Sequence, residues 1–510
     1  MNQGSETCRL PQFPEPYWRS SVSLPTFPTL AEDLEVDVAI VGAGITGLTS
    51  AYLLAKEGIK VAIIDAGKIL NGTTGHTTAK ITAQHGLIYD ELINTLGLES
   101  AKLYYQANDE GLQFIKQLVQ AQNIDCEFTN QDAYVYTNSD EYTQQLHNEY
   151  QAYKKLGIES EFSTSIEMPF DVKAAIIMKN QAQFHPLKYL LHLSNQITEL
   201  GGQIFELTTA IDIENGPEPK VLTKDGFSIR CQQMIIASHF PFEDKLGLYF
   251  ARMYANRSYV IAAKTNKEFP GGMYINAEKP TRSLRYTSIN GEQLVLFIGE
   301  NHRTGIGESM IQHYEALEAF AEETFGVKEI LYRWSTQDLK TLDKVPYIGR
   351  LTENNENIYV ATGFRGWGMT HGTIASLLIT DLILGKRNRY EVLFSPQRFH
   401  ADPDIKKFIS YNADVAKHLI KGKLEISSVN PDYLTPDEGS VVMVNGQRAG
   451  AYKDTNGHLH IVDTTCTHMG CELVWNTGER SWDCPCHGSR FSYLGEVLEG
   501  PAEKPLKKIK

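Results

Sequence analysis

Val36-Asp37-Val38-Ala39-Ile40-Val41-Gly42-Ala43-Gly44-Ile45-Thr46-Gly47 is followed, after one helix-length of chain, by Val61-Ala62-Ile63-Ile64-Asp65. Val36 to Val41 is a short apolar run of the kind a buried parallel strand requires. The glycines then open a helix with apolar positions at Leu48, Tyr52 and Leu53 that stops near Gly58, and a second strand ends in Asp65. Three spaced glycines alone mean little, but strand, glycines, helix, second strand and terminal acid make a complete βαβ dinucleotide fingerprint. The glycines permit a tight turn and let a pyrophosphate rest on the helix N-terminus, where free N–H groups and the dipole favour negative charge. Asp65 is placed to accept ribose hydroxyls. The competing reading is a βαβ unit with chance glycines.

Two further stretches bear on which dinucleotide is bound. Gly72-Thr73-Thr74-Gly75-His76-Thr77-Thr78-Ala79-Lys80 is rich in glycine and hydroxyls just after the ribose acid. Ile358 to Thr370 runs from a strand through Thr362-Gly363-Phe364-Arg365-Gly366-Trp367-Gly368-Met369 into a helix expected from about His371 to Leu384. With these motifs the chain resembles the D-amino-acid-oxidase-like flavoprotein superfamily, which includes glycine, sarcosine and γ-glutamylputrescine oxidases. Phe184-His185-Pro186 with its helix to Leu200, a strand from Ile204 to Ile213, Met234 to His239, and Asp343 to Gly349 fit the same pattern. The likeness spans about Val36 to Leu384 and implies FAD as cofactor.

The fold so implied is an α/β Rossmann-like FAD-binding domain, in parts 36–124, 178–248 and 335–390, with an antiparallel substrate sheet in parts 125–177 and 249–334. Strand-like runs such as Ser258 to Ala263 and Gln293 to Gly299 suit that sheet. The resemblance places Gly42, Gly44, Ile45, Thr46, Gly47, Asp65, Thr74, Gly75, His76, Thr77, Lys80, Ala237, Gly363, Gly366, Gly368 and Met369 at the cofactor. A helix N-terminus aimed at the flavin would stabilise the anion formed on reduction. Some relatives attach FAD through a histidine near His76; a plain hydrogen bond to phosphate or backbone is the alternative. Lys80 reads either as a flavin contact or as a solvated charge. His239, Arg257, Tyr259, Arg365 and Trp367 are candidates to line the substrate pocket. Of these Arg365, Trp367 and His239 are the candidate catalytic residues, with Arg365 able to clamp a carboxylate in a bidentate fork.

A second motif pair lies near the C-terminal end: Cys466-Thr467-His468-Met469-Gly470-Cys471 and Cys484-Pro485-Cys486-His487-Gly488-Ser489-Arg490-Phe491. Cysteines and histidines at such spacings suit a 2Fe-2S pair in which one iron takes two thiolates and the other two imidazoles. A closed tetrahedral zinc knuckle is the alternative, although zinc has no need of Pro485, Gly470, Gly488 and the following serine together. The segment resembles the Rieske domains of respiratory cytochrome bc complexes. That resemblance implies Cys466, His468, Cys484 and His487 as ligands, a Cys471–Cys486 disulfide, and a hydrogen bond from Ser489 to a bridging sulfide. The chain departs from the pattern at Phe491, where the respiratory domains carry a tyrosine that donates to a ligand sulfur. Losing that donor lowers the potential within the Rieske range of about −150 to +300 mV.

At 510 residues the chain predicts two or three domains. A net charge of −14 argues against nucleic-acid partners and anionic membrane surfaces. No secretory leader and no transmembrane segment is evident, and the three scattered cysteines do not form a secreted disulfide framework, so the expected compartment is cytoplasmic. Residues 1–35 read as an arm packed on the body, 36–390 as the flavin unit, 391–428 as a helical connector with an amphipathic helix from about Pro403 to Lys421, and 429–510 as a small all-β Rieske domain. No second strand-glycine-helix-acid unit is visible, which argues against an NAD(P)H domain. A small amine or amino acid would then be oxidised at FAD, with electrons passed singly through the cluster to an external acceptor such as a ferredoxin or flavodoxin. The other reading is a redox carrier or sensor that has no small-molecule substrate and exchanges electrons with a protein partner.

Overall fold

The structure, a computed structural model, describes residues 9–509 except 245, 308–309, 399–407, 411, 414, 416–418 and 420–428. Among the described residues a mixed sheet runs in the order Tyr347–Arg350, Ile358–Thr362, Ser228–Ile236, Leu34–Val41, Val61–Ile64, Gln203–Phe205. Its centre is parallel, with Leu34–Val41 flanked by Ser228–Ile236 and Val61–Ile64. The apolar run seen in the sequence follows from burial on both faces. Val38 and Ile40 enter one core, while Ala39 and Val41 enter another. One face is covered by helix Ile45–Lys56, which packs against helices Pro186–Glu199 and Gly368–Ile383.

The second large sheet runs Val327–Thr341, Met253–Thr265, Glu292–Arg303, Arg282–Ile289, Met273–Asn276, Thr129–Thr137, Ala174–Gln183, Lys80–Ile81. It is antiparallel apart from the Met273–Asn276 pairing with Thr129–Thr137. Its strands cross the divisions expected from sequence. Lys80–Ile81 joins it from the first flavin part, and Val327–Thr341 stays paired with Met253–Thr265 to its last residue. That pairing shifts register within residues 327–332 but runs unbroken from Tyr332 to Thr341, so no break marks the boundary at 334/335. The strand expected over 204–213 is two strands, Gln203–Phe205 and Ala210–Glu214. Leu207 adopts φ 51° between them and Thr208 N–H turns back to Asp65 O.

The N-terminal arm contains a short helix, Tyr17–Ser20, whose buried Trp18 donates to Thr77 O at 2.6 Å. Most of the connector helix expected over 403–421 lies outside the described residues; positions 408–410, 412, 413, 415 and 419 are helical. The C-terminal unit has sheets of three and four antiparallel strands. Asn445 and Gly446, with φ 50° and 77°, make the tight turn between Glu438–Val444 and Gln447–Lys453, as an Asn-Gly hairpin requires.

This unit is seated on the flavin body. Gln337 Nε2 donates to Gly488 O at 2.9 Å, Arg333 Nη1 to Gly478 O at 2.8 Å, and Tyr314 Oη to Glu479 Oε1 at 2.5 Å. A Cβ on Gly488 would meet Ala255 Cβ at 2.2 Å and one on Gly305 would meet Pro485 N at 2.6 Å. Both contacts require glycine.

Candidate functional site

A cavity of about 670 Å³ opens at the carboxyl ends of the parallel strands and extends along the second sheet. That is where a doubly wound sheet binds ligands. Gly42 turns the chain out of the first strand at φ 108°, and a Cβ there would meet Ala237 O at 2.5 Å. Gly44 precedes the helix without capping it through a side chain, while Ile45 N–H donates to Thr74 Oγ1 at 3.2 Å. The helix therefore presents its N-terminal turn, a site for anionic groups, to the cavity. Asp65 Oδ2 accepts Ala43 N–H at 2.8 Å and Oδ1 accepts Gly67 N–H at 2.9 Å. Burial raises its pKa against those two bonds, and each oxygen keeps acceptor capacity for a hydroxyl.

Of the residues expected at the cofactor, Gly42, Gly44, Ile45, Thr46, Asp65, Thr74, Thr77, Lys80, Ala237, Gly366, Gly368 and Met369 line this cavity. Gly47, Gly75, His76 and Gly363 do not. Gly47 lies beneath the turn, where a Cβ would meet Gly42 O at 1.9 Å, and Gly75 abuts Leu70 O in the same way at 2.2 Å. His76 Nδ1 is 3.0 Å from Gly72 O, so its ring is engaged with its own turn. Gly363, at φ 82°, is packed against Thr341 Cγ2.

His239, Arg365 and Trp367 all line the cavity. His239 adopts φ 65°, burial lowers its pKa, and its Nε2 is buried without a partner. Arg365, at φ 56°, is fixed by its N–H to Leu339 O at 3.0 Å and by Nη1 to Lys344 O at 3.3 Å. Trp367 stacks on His85 with centroids 4.7 Å apart. Arg257 and Tyr259 correct the sequence expectation. Successive strand residues face opposite sides, and it is Ser258 between them that lines the cavity. Tyr259 stacks on His302 and His313 instead, and Arg257 points toward the C-terminal unit.

Sequence reasoning missed Asp338 and Lys340, which line the cavity from strand Val327–Thr341. No periodic signal marked them, because Ser335, Thr336, Gln337 and Asp338 are polar in succession and Gln337 and Leu339 line the cavity as well. Burial, reinforced by Arg365, lowers Lys340 to about 8, and burial with Arg285 lowers Lys80 to about 7. Lys80 Nζ donates to Tyr274 O at 3.0 Å and to Ser283 Oγ. Also missed was the C-terminal unit's share of the wall, which includes Leu498, Glu499 and Gly500.

In the C-terminal unit Cys471 and Cys486 form a disulfide with S–S 2.09 Å. Cys484 lies close to both its sulfurs, yet a bonded pair offers no thiolates. Cys466 and Cys484 remain free and buried. The imidazoles of His468 and His487 lie 5.0 Å apart at 87°, and the Nδ1 atom of each is buried without a partner. Two thiols and two orphaned imidazole nitrogens fit the donor set of a Rieske cluster. Ser489 Oγ accepts Ala502 N–H at 3.0 Å. Phe491 is fully buried in the same core as the cysteines. His487 is 4% exposed whereas His468 is half-buried. Phe250 of the flavin body meets both rings edge-on, at 5.4 and 5.9 Å.

Residues 37–382 match the FAD dependent oxidoreductase family. The chain belongs to that family. Residues 427–510 match the Rieske [2Fe-2S] domain. The chain is 55% identical over 496 residues, 97% of each chain, to YhfW of Bacillus subtilis strain 168, which is named as a Rieske 2Fe-2S iron-sulfur protein. It is 24% identical over 388 residues to the γ-glutamylputrescine oxidoreductase of Escherichia coli K12, covering 74% of this chain and 90% of that one. The glycine oxidase of Geobacillus kaustophilus shares the fold at TM-score 0.59 and 18% identity, over 72% of this chain and all of the other. The protein is thus an oxidoreductase whose cofactors are FAD and a Rieske 2Fe-2S cluster. Among the described residues no helix is long and apolar enough to cross a membrane.

Proposed function

We propose that the protein is a dehydrogenase of a small amine or amino acid that delivers electrons to a separate acceptor protein. When bound, FAD supplies hydride acceptance from the carbon beside the substrate nitrogen, and the cluster supplies one-electron transfer. The observation that carries this reading is the joint construction of the site. One cavity is walled by both units, and Phe250, three residues before Met253, whose sulfur packs behind cavity-lining Thr362, touches both histidines of the cluster site. Met253 Sδ lies 3.7 Å from Thr362 Oγ1 on the cavity wall.

The chain's own groups divide the remaining work. The helix N-terminus at Ile45 and Thr46 receives the pyrophosphate, and Asp65 accepts the ribose hydroxyls. The free donors of Arg365 hold a substrate carboxylate, while Trp367, braced by His85, forms a flat wall. A substrate ammonium must lose a proton before its carbon gives up a hydride, and neutral Lys80 takes that proton at Nζ. The unequal exposure of His487 and His468 supports an inward and an outward imidazole edge, with the acceptor meeting His468. The Phe491 position favours a low-potential acceptor of ferredoxin or flavodoxin type.

Anaerobic titration with a panel of amines and amino acids tests the reading. Bleaching of flavin absorbance by one of them is expected. No bleaching by any, together with electron exchange between the protein and reduced flavodoxin, would favour a carrier or sensor.

A further inference from the structure

The cavity wall includes Leu498, Glu499, Gly500, Pro501 and Ala502, all from the Rieske unit. The FAD-unit fold at the glycine oxidase's length covers only 72% of this chain, so this wall is an addition to it. Three contacts fix the segment in place. Arg490 Nη1 is 2.7 Å from Glu499 Oε1, the two residues being paired across adjacent strands. Arg257 of the flavin body, only 1% exposed, lies 3.5 Å from the same oxygen. Ala502 N–H is tied to Ser489 of the cluster loop. Arg257 is itself braced by Ser335 Oγ at 2.6 Å and by Gln337, whose amide nitrogen donates to Gly488 O. Flavin body, wall segment and cluster loop therefore share one buried polar network.

Polar atoms of the cavity lining remain unused. Glu499 Oε2 and, across from it on the flavin body, His239 Nε2 are buried without partners. A buried acceptor left unpaired costs about 1–3 kcal/mol. The two flanking guanidiniums keep Glu499 ionised, so it repels phosphate and accepts from a neutral donor.

We propose that this Rieske segment is part of the FAD-binding site, with Glu499 accepting a hydrogen bond from a hydroxyl of the cofactor's uncharged portion. The inference rests on FAD occupying the cavity. Binding of FAD and seating of the Rieske unit are then coupled, and by linkage each strengthens the other.

Hydrogen–deuterium exchange on the full-length protein, FAD-replete and FAD-depleted, is the test, with the cluster verified intact by electron paramagnetic resonance. Backbone amides of residues 496–502 are expected to exchange at least about tenfold more slowly with FAD bound, the factor that one such bond supplies. Glu499→Gln is expected to release FAD about tenfold faster, read as recovered flavin fluorescence, with an unchanged cluster spectrum. Protection confined to the flavin body, with unaltered FAD release from the variant, would overturn the proposal. A protein that takes up no flavin at all would overturn the cofactor reading beneath it instead.

Discussion

Phe491 is fully buried in the core that holds the cysteines, so a hydroxyl added there would lie inside that core rather than in solvent. One hydrogen bond of about 1 kcal/mol net is equivalent to about 40 mV for one electron. Phe491→Tyr should raise the midpoint by that amount in protein-film voltammetry; an unchanged midpoint would remove Phe491 as a determinant. Lys80 gives a second expectation at this scale. Its pKa, lowered from 10.5 to about 7 mainly by burial, means that the base form grows as pH rises through 7. Flavin reduction by substrate should accelerate over that range in the wild type, and Lys80→Met should lose this limb. A limb that persists in the variant would assign the base elsewhere. These residues show what single positions disclose in sequence. The cluster ligands stood out because their chemistry demands particular residue types at fixed spacings, whereas the placement of Tyr259 and Arg257 depended on strand facing, which spacing alone left open.

The glycine turn and its helix are the element on which the proposed flavin site depends. Because a Cβ at position 47 would lie 1.9 Å from Gly42 O, Gly47→Ala must push the helix off the strand, at a cost of about 1–3 kcal/mol. Purified Gly47→Ala should contain little FAD, while iron and acid-labile sulfide stay near two of each per chain. Full flavin content would show that the turn is not needed for binding. This βαβ element was legible from sequence because its burial, turn and ribose acid all act within one short stretch. The connection after Gln203–Phe205 was not. Its break at Leu207 is set by the backbone bond from Thr208 to Asp65, a partner far away in the chain. Asp338 and Lys340 were not legible either, because they follow an unbroken polar run from Ser335 and their burial became clear only with both sheets in place.

At the scale of the whole molecule, the sequence suggested a Rieske module appended to a flavoprotein, and the structure instead shares one cavity wall between them. No local signal marks Glu499 for that role, since its partner Arg257 lies in the other unit. Burial acts to raise the Glu499 pKa, but Arg490 and Arg257 hold it at about 2, below its ordinary 4.5. A depressed carboxylate contributes stability that is present above pH 4.5 and lost as pH falls toward 2. Acidification over that window should loosen the Rieske seat. Glu499→Gln should flatten this part of the acid stability curve, as monitored by flavin fluorescence; a curve identical to the wild type would place the acid-sensitive contact elsewhere.

The most direct test of the combined site is rapid anaerobic mixing of the full-length protein with a substrate that bleaches the flavin. Freezing at successive times would follow the cluster by electron paramagnetic resonance. The signal of the reduced Rieske cluster should appear within the turnover that bleaches the flavin, without any added mediator. A flavin reduced completely while the cluster stays oxidised over many turnover times would contradict the account.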